Sequence, residues 1–125
     1  MTHLNDAIQF YIRINMEGTF EVYKDSKGEN RFRLKAPNNE IILASEGYSS
    51  KANCLRGINS VKENSVVSER FEIYEDKAGK FRFRLKAVNQ QVIGVSESYE
   101  SKANAEKGVE SVKRWAPKAE IKELL

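Results

Sequence analysis

The amino-acid sequence predicts an α+β fold in which tandem β-β-β-α(-β) repeats form a shared antiparallel sheet with two packed helices. The prediction rests on an internal duplication, on period-two patterns early in each copy, and on a helical period late in each copy. At an offset of 51 positions, residues 20–62 align without a gap with residues 71–113, and 24 of these 43 positions are identical. A unit of about 45 residues buries too little surface to be stable alone, so the copies are expected to share one core.

Each copy begins with the pattern of a hairpin and a third strand. In copy one, apolar and polar residues alternate over 20–23, a turn sequence follows at 25–28, and the alternation resumes over 31–36. A second turn at 36–39 leads to the short apolar run 41–44, which is typical of a strand buried on at least one face. Three antiparallel strands are therefore expected in each copy.

The period then changes to that of an amphipathic helix. Ser50 and Ser101 stand where an N-cap hydroxyl accepts from the first free amides of such a helix. Glycine costs about 1 kcal/mol inside a helix, so Gly57 and Gly108 on the apolar stripe predict that the backbone there lies close against the sheet. The stripe positions are Cys54, Gly57, Ile58 and Val61 in copy one, and Ala105, Gly108, Val109 and Val112 in copy two.

The segments outside the copies are less regular. Residues 65–68 suit a short strand that leads into copy two, and residues 119–125 are their counterpart, although Pro117 makes a short helix an equal reading of the C-terminal tail. The organisation we predict is an N-terminal extension at 1–19, repeat 1 at 20–67 and repeat 2 at 68–125, with both repeats in one domain.

The N-terminal extension alternates apolar and polar residues from Ile8 to Ile14, which is typical of a strand. Such a strand would add to a sheet edge, either of its own chain or of a second copy. The alternative is that these residues result from a misassigned start codon.

The duplicated motifs resemble those of the YegP-like proteins of bacteria and archaea, which carry one or two copies of a domain of unknown function. The resemblance implies three antiparallel strands, a helix and a further strand in each repeat, with both repeats joined in a common sheet by exchange of the terminal strands. It implies no activity and no catalytic or binding residue. The motifs that carry it are Phe20-Glu21-x-Tyr23, Arg31-Phe32-Arg33-Leu34-Lys35-Ala36, Ser50-Lys51-Ala52-Asn53 and Gly57-x-x-Ser60-Val61, each with its copy-two equivalent.

Composition excludes several classes of protein. The 125 residues are 40% hydrophobic and 31% charged with a net charge of +3, and no apolar run approaches the roughly 18 residues of a membrane span. One cysteine and one histidine form neither an intrachain disulfide nor a four-ligand zinc site of the usual kind. No secretory signal and no glycine-rich phosphate loop is present. We therefore expect a folded cytoplasmic protein without a membrane segment, metal or cofactor.

A basic face is the most suggestive feature for function. Phe32 and Leu34 are expected to point to the core, so the basic residues between and beside them share the opposite sheet face. With Tyr23 and Tyr74 beside them, these side chains suit phosphates and stacked bases, as in proteins that bind single-stranded nucleic acids. We call this set the basic face: Arg31, Arg33, Lys35, Arg82, Arg84, Lys86, Tyr23 and Tyr74.

The alternative is that these cations pair with carboxylates across the hairpins. With the first turn centred on Lys27, Glu21 faces Arg33 and Tyr23 faces Arg31, and in copy two Glu72 faces Arg84 and Tyr74 faces Arg82. Such pairs cancel much of the positive field, and a net charge of +3 is small for a dedicated nucleic-acid domain.

A second candidate site lies in the loop before each helix, where hydroxyl groups adjoin a helix N-terminus that favours anions. A carboxylate and a tyrosine in this loop are also the groups that a small enzyme would use as general base and acid. Helix capping and packing of the tyrosine ring explain the same residues without a ligand. The loop site comprises Glu46, Tyr48 and Ser50, and Glu97, Tyr99 and Ser101.

These patterns favour a non-catalytic binding or interaction module over an enzyme. Cys54 lies on an apolar helix stripe and no histidine follows it, so it is expected to be a small core residue rather than a nucleophile. The expected partner is a protein or a single-stranded nucleic acid. The expected state is a monomer, with dimerisation through the N-terminal extension as the alternative.

Overall fold

The computed structural model describes residues 6–8 and 17–125. The predicted strand from Ile8 to Ile14 falls, apart from Ile8, outside the described residues, and residues 6–8 are helical and exposed. The elements in chain order are β1 (Thr19–Lys24), β2 (Asn30–Lys35), β3 (Ile41–Ala44), α1 (Lys51–Asn64), a 3-10 helix (Ser68–Arg70), β4 (Phe71–Glu75), β5 (Phe81–Lys86), β6 (Val92–Val95), α2 (Lys102–Trp115), a second 3-10 helix (Ala116–Lys118) and β7 (Glu120–Glu123).

The strands form one seven-stranded sheet in the order β4-β5-β6-β3-β2-β1-β7. The two hairpin meanders meet where β3 pairs with β6, through Ala44 and Val95. This arrangement confirms the predicted α+β fold with a shared sheet and two helices. One pairing differs from the expected antiparallel pattern: β7 runs parallel to β1. The difference arises because β7 reaches the sheet after the α2 crossover and not through a hairpin.

The hairpin register agrees with the predicted turn. Glu21 pairs with Arg33 and Tyr23 with Arg31, and the same register recurs between β4 and β5. The turn itself is held by Asp25, whose side chain accepts hydrogen bonds from the amides of Lys27 and Glu29. Gly28 adopts a φ of 80°, a conformation that glycine reaches without the steric cost of a Cβ.

Both helices pack on one face of the sheet and bury a single core. Phe32 and Leu34 are fully buried, as their alternation predicts, and Cys54 is fully buried on α1. Burial raises the pKa of the Cys54 thiol, which suits a core residue and not a thiolate nucleophile. Ser50 and Ser101 cap the helices by accepting from the amides of the residues three positions later.

The helix glycines make room for a tyrosine. A Cβ on Gly57 would collide with the ring and hydroxyl of Tyr48 and would crowd Phe32 on the sheet, and Gly108 has the same relation to Tyr99. The close approach predicted at these glycines is therefore made through an intervening aromatic ring as well as the sheet. Tyr48 stacks on Phe32 with the ring centroids 6.3 Å apart.

The tails that follow the two helices have different structures. The predicted strand at 65–68 is wrong, because the chain there forms a turn and enters the 3-10 helix Ser68–Arg70. Ser68 is only three residues from Phe71 of β4, which leaves no length for a separate strand. The C-terminal tail forms both structures considered for it, a 3-10 helix containing Pro117 and then strand β7. Strand exchange between repeats is consequently one-sided.

Candidate functional site

The structure places the cations of the basic face on one side of the sheet. The side chains of the six cations lie opposite the buried face of β2 and β5, on the side of the sheet that faces away from α1 and α2. The sheet therefore brings together all the residues that the sequence assigned to this surface. Their electrostatic environment decides whether a ligand can use them.

Every cation of the basic face has a carboxylate partner. In repeat 1, Arg31 lies 2.7 Å from Asp25, while Arg33 and Lys35 lie 2.8 Å and 3.1 Å from Glu21. Repeat 2 repeats the arrangement, with Arg82 at 3.0 Å from Asp76, and Arg84 and Lys86 at 3.0 Å and 3.3 Å from Glu72. A phosphate would have to compete with these pairs.

The tyrosines of this face are covered too. The guanidinium of Arg33 lies 4.5 Å from the ring centroid of Tyr23, and that of Arg84 lies 3.9 Å from the ring centroid of Tyr74. A nucleic-acid base would have to displace the guanidinium before it could stack on either ring. The geometry supports the cross-strand pairing alternative over an exposed platform.

Ion pairing also shifts the pKa values of the carboxyl groups beside these cations. The hydrogen bond from Arg31 lowers the pKa of Asp25, and the hydrogen bond from Arg82 lowers the pKa of Asp76. Burial acts to raise the pKa of Glu21, but hydrogen bonds from Arg33 and Lys35 outweigh it and lower the pKa. These carboxylates are stabilised as anions, which is the state that holds the hairpins together.

The loop site does not assemble into one centre. Tyr48 and Tyr99 lie partly buried between sheet and helix, and burial raises the pKa of both phenols. Glu46 and Glu97 are exposed and line a shallow cleft of about 330 Å³ on the helix-free face, around the β3–β6 junction. The carboxylates of Glu46 and Glu97 and the phenols of Tyr48 and Tyr99 thus lie on different sides of the sheet.

Two further hydroxyl groups of these segments, those of Ser45 and Ser96, shape the loops. The Ser45 hydroxyl accepts from the amide of Phe32 and donates to the carbonyl of Glu46, and Ser96 makes the equivalent bonds to Phe83 and Glu97. Their recurrence in the duplicated motif was the available signal. Both are buried, and their bonds fix the loop without leaving a free hydroxyl for chemistry.

An opening larger than the cleft at the β3–β6 junction lies at the far edge of the sheet, between β4 and α2. It measures about 660 Å³, and we call it the edge groove. Its floor is apolar and its helix wall is charged, so it differs in character from the basic face. The lining residues are Ser68, Phe71, Ile73, Ala103, Glu106, Lys107, Val109 and Glu110.

In repeat 1 the equivalent position is filled by β7, the C-terminal strand of repeat 2. β7 pairs with β1 there, and Phe20 and Val22 are fully buried, whereas their equivalents Phe71 and Ile73 are only partly buried. Of the strands in the described residues, only β5 is hydrogen-bonded to β4. The sequence signal for this difference is the number of residues available after each helix, since only the C-terminal tail has enough length to form an edge strand.

The described residues contain no group of three or more His, Cys, Asp or Glu side chains placed to hold a metal ion. In the same part of the chain, no helix has the length and apolar character needed to cross a bilayer.

The fold and the paired surfaces define a class of protein: a tandem α+β repeat domain built around one sheet. Two stretches of the chain, residues 25–72 and 76–123, match the family described as a domain of unknown function, DUF1508. The chain belongs to this family, which includes the YegP and other UPF0339 proteins.

Individual relatives agree with this assignment. A UPF0339 protein encoded in the ptx operon 5' region of Stutzerimonas stutzeri is 54% identical over 109 residues, covering 87% of this chain and 98% of that protein. The solution NMR structure of YegP from Escherichia coli, a protein of unknown function, matches with a TM-score of 0.83 at 44% identity, over 87% of this chain and 94% of YegP. A UPF0339 protein from Shewanella oneidensis matches with a TM-score of 0.81 at 40% identity, over 87% of this chain and 92% of that one. These relatives are uncharacterised, as the sequence resemblance implied.

Proposed function

We propose that this chain is a non-catalytic protein-interaction module that takes up an extended polypeptide segment along β4 and the edge groove. The observation that carries the proposal is the unequal covering of two equivalent strands: β1 has β7 as an outer partner, and β4 has none among residues 6–8 and 17–125. An exposed edge strand presents unpaired amides and carbonyls, and adding a strand from another protein satisfies them.

The edge groove supplies the side-chain part of such recognition. Phe71 and Ile73 are partly buried and form an apolar floor directly beside the free edge. Strand addition gains affinity from main-chain hydrogen bonds and specificity from pockets that receive alternate side chains. The groove and the edge are adjacent, so one extended segment can use both.

The absence of catalysis is part of the proposal. An enzyme would use Glu46 or Glu97 together with Tyr48 or Tyr99, and these carboxylates and phenols line different sides of the sheet. We further propose that the module is a monomer that acts in the cytoplasm. One cysteine forms no intrachain disulfide, which is typical of proteins of a reducing compartment.

Selection from a random peptide display library tests the function directly. We expect enriched peptides that lose binding to the variant Ala103→Arg, which places a large charged side chain in the edge groove at an exposed helix position. The matched control is Ala52→Arg, the same substitution at the equivalent exposed position on α1. Peptides that bind both variants equally, or no enrichment at all, would contradict the proposal.

Nucleic-acid binding through the basic face has less support, because each of its cations already has a carboxylate partner. Fluorescence anisotropy with short single-stranded RNA and DNA at two salt concentrations tests it. We expect no salt-sensitive binding by the native chain and no difference in the variant Arg33→Ala/Arg84→Ala. Salt-dependent binding that weakens in the variant would make the basic face the functional site instead.

A further inference from the structure

Repeat 1 shows which chemistry an occupant of the open edge needs. Along β1, the parallel strand β7 places Glu120 opposite Thr19, Ile121 opposite Phe20 and Glu123 opposite Val22. The amide of Leu124 donates to the Val22 carbonyl at 2.8 Å. β7 is therefore a bound example of the segment type that this kind of edge accepts.

The acidic residue at the end of β7 forms an ion pair with the first residue of α1. Glu123 lies 2.9 Å from the Nζ of Lys51, the first residue of α1. The residue equivalent to Lys51 in repeat 2 is Lys102, the first residue of α2. Lys102 is exposed, and it forms no ion pair within residues 6–8 and 17–125.

A second cation stands at the other end of the same edge. Arg70 is equivalent to Thr19, and Thr19 is the residue that faces Glu120 in repeat 1. The Nε of Arg70 is buried without a hydrogen-bond partner, and the described residues provide this arginine with no carboxylate. Arg70 as a whole is partly exposed, so a carboxylate from an incoming segment would meet an unpaired positive charge there.

We propose that the β4 edge binds a protein segment that runs parallel to β4 and has the pattern acid, apolar, any residue, acid. The first acid meets Arg70, the apolar residue packs over Phe71 in the edge groove, and the second acid meets Lys102. This inference rests on the proposed function and specifies the chemistry of its partner. The chain's own Glu-Ile-Lys-Glu at 120–123 has this pattern, which makes it a suitable probe.

The test is an NMR titration of the 15N-labelled full chain with an acetylated peptide of residues 119–125. Shift changes are expected in β4 and α2 and not in β1. A second peptide carries glutamine in place of both acids of the pattern, and its affinity is expected to be about five-fold lower, since two partly exposed ion pairs are lost.

Two protein variants test which residues distinguish the acidic peptide from the glutamine peptide. Lys102→Gln and Arg70→Gln should each reduce the difference between the two peptides to about two-fold. The matched control is Lys51→Gln, which removes the equivalent lysine in repeat 1 and should leave the five-fold difference unchanged. All three are single exchanges of a cation for a polar residue outside the core.

Each other result overturns the inference in a recognisable way. Equal binding of both peptides at β4 would disprove the acidic pattern and leave the proposed function standing. Shift changes at β1 would show displacement of β7 instead of uptake at the open edge. Binding that requires deletion of residues 1–15 would identify the chain's own N-terminal segment as the occupant, and a concentration-dependent increase in mass without peptide would identify a second copy.

Discussion

The two ends of the sheet start from nearly the same sequence and differ in what lies beyond them. β1 and β4 share their strand pattern, their hairpin register and their ion pairs. β1 is covered by β7, and its Phe20 is fully buried, whereas no strand of the described residues covers β4, and its Phe71 is partly exposed. The burial of a side chain is thus decided by the neighbour that the topology supplies, not by the strand that carries it.

The same comparison extends to the glutamates of the two hairpins. The Glu21 side chain is 12% exposed beneath the β7 edge, while the Glu72 side chain at the open end is 49% exposed. Both carboxylates pair with an arginine and a lysine of the neighbouring strand. Equal sequence therefore produces unequal electrostatic stabilisation, since exposed pairs are screened by water.

Matched core substitutions should have the largest effect. We expect Phe20→Ala to lower the free energy of unfolding by about 4 kcal/mol, because it leaves a cavity in a fully buried site. Phe71→Ala should cost about 2 kcal/mol, since this ring is already partly solvated. Urea denaturation of both variants measures the difference. Equal costs would mean that the open edge is covered in solution.

Removal of β7 should make the two ends alike. A chain that ends at Ala119 loses a strand and exposes part of Phe20 and Val22, for an expected cost of about 3 kcal/mol. Differential scanning calorimetry should show the melting temperature falling by roughly 10 °C. Deletion of Leu125 alone, which is 58% exposed, is the control and should change little.

The centre of the sheet offers a third asymmetry between the repeats. Leu43 of β3 is equivalent to Gly94 of β6, and a Cβ on Gly94 would lie 2.6 Å from the Leu43 side chain. Gly94→Ala should therefore cost about 2 kcal/mol through overpacking. In the background of Leu43→Ala the same substitution should cost almost nothing, which a double-mutant cycle of unfolding free energies measures. Additive costs would contradict this account.

The smallest expected difference between the two ends of the sheet is the loss of stability on replacing Glu21 or Glu72. The pKa of Glu21 is lowered from about 4.5, so its contribution to stability is present above that pH and is lost as the pH falls through the lower folded-state value. Glu21→Gln should cost roughly 1 kcal/mol at neutral pH and should make stability less dependent on pH below about 4.5. Glu72→Gln should cost less at neutral pH. Acid titration of each variant, followed by circular dichroism, checks the order.

Much of the fold follows from local patterns in the sequence. The alternation around Phe32 placed that side chain in the core, the turn at Lys27 set the hairpin register, and Ser50 marked the helix start. Each depends on a period or a cap that acts over a few residues. The pairing of Arg33 with Glu21 was predictable for the same reason.

The edge groove could not be predicted in this way. Val66 and Val67 suit a strand by composition, yet the chain there has to turn into β4 within a few residues, and Val66 is 60% exposed. The close packing at Gly57 and Gly108 was predicted, but its partner was not. The tyrosine that fills the space above each glycine comes from a different segment.

The sequence by itself determined the repeat, the three antiparallel strands and the helix of each copy, and the pairing of Glu21 with Arg33 and of Glu72 with Arg84, because these depend on neighbours in the chain or directly across a hairpin. Only the tertiary structure decided that one leucine and one glycine share the centre of the sheet, that β7 covers β1, and that β4 stays open. A side chain at Gly94 would collide with Leu43 across the junction, and a chain with one C-terminal tail can cover only one of its two equivalent edges in this way.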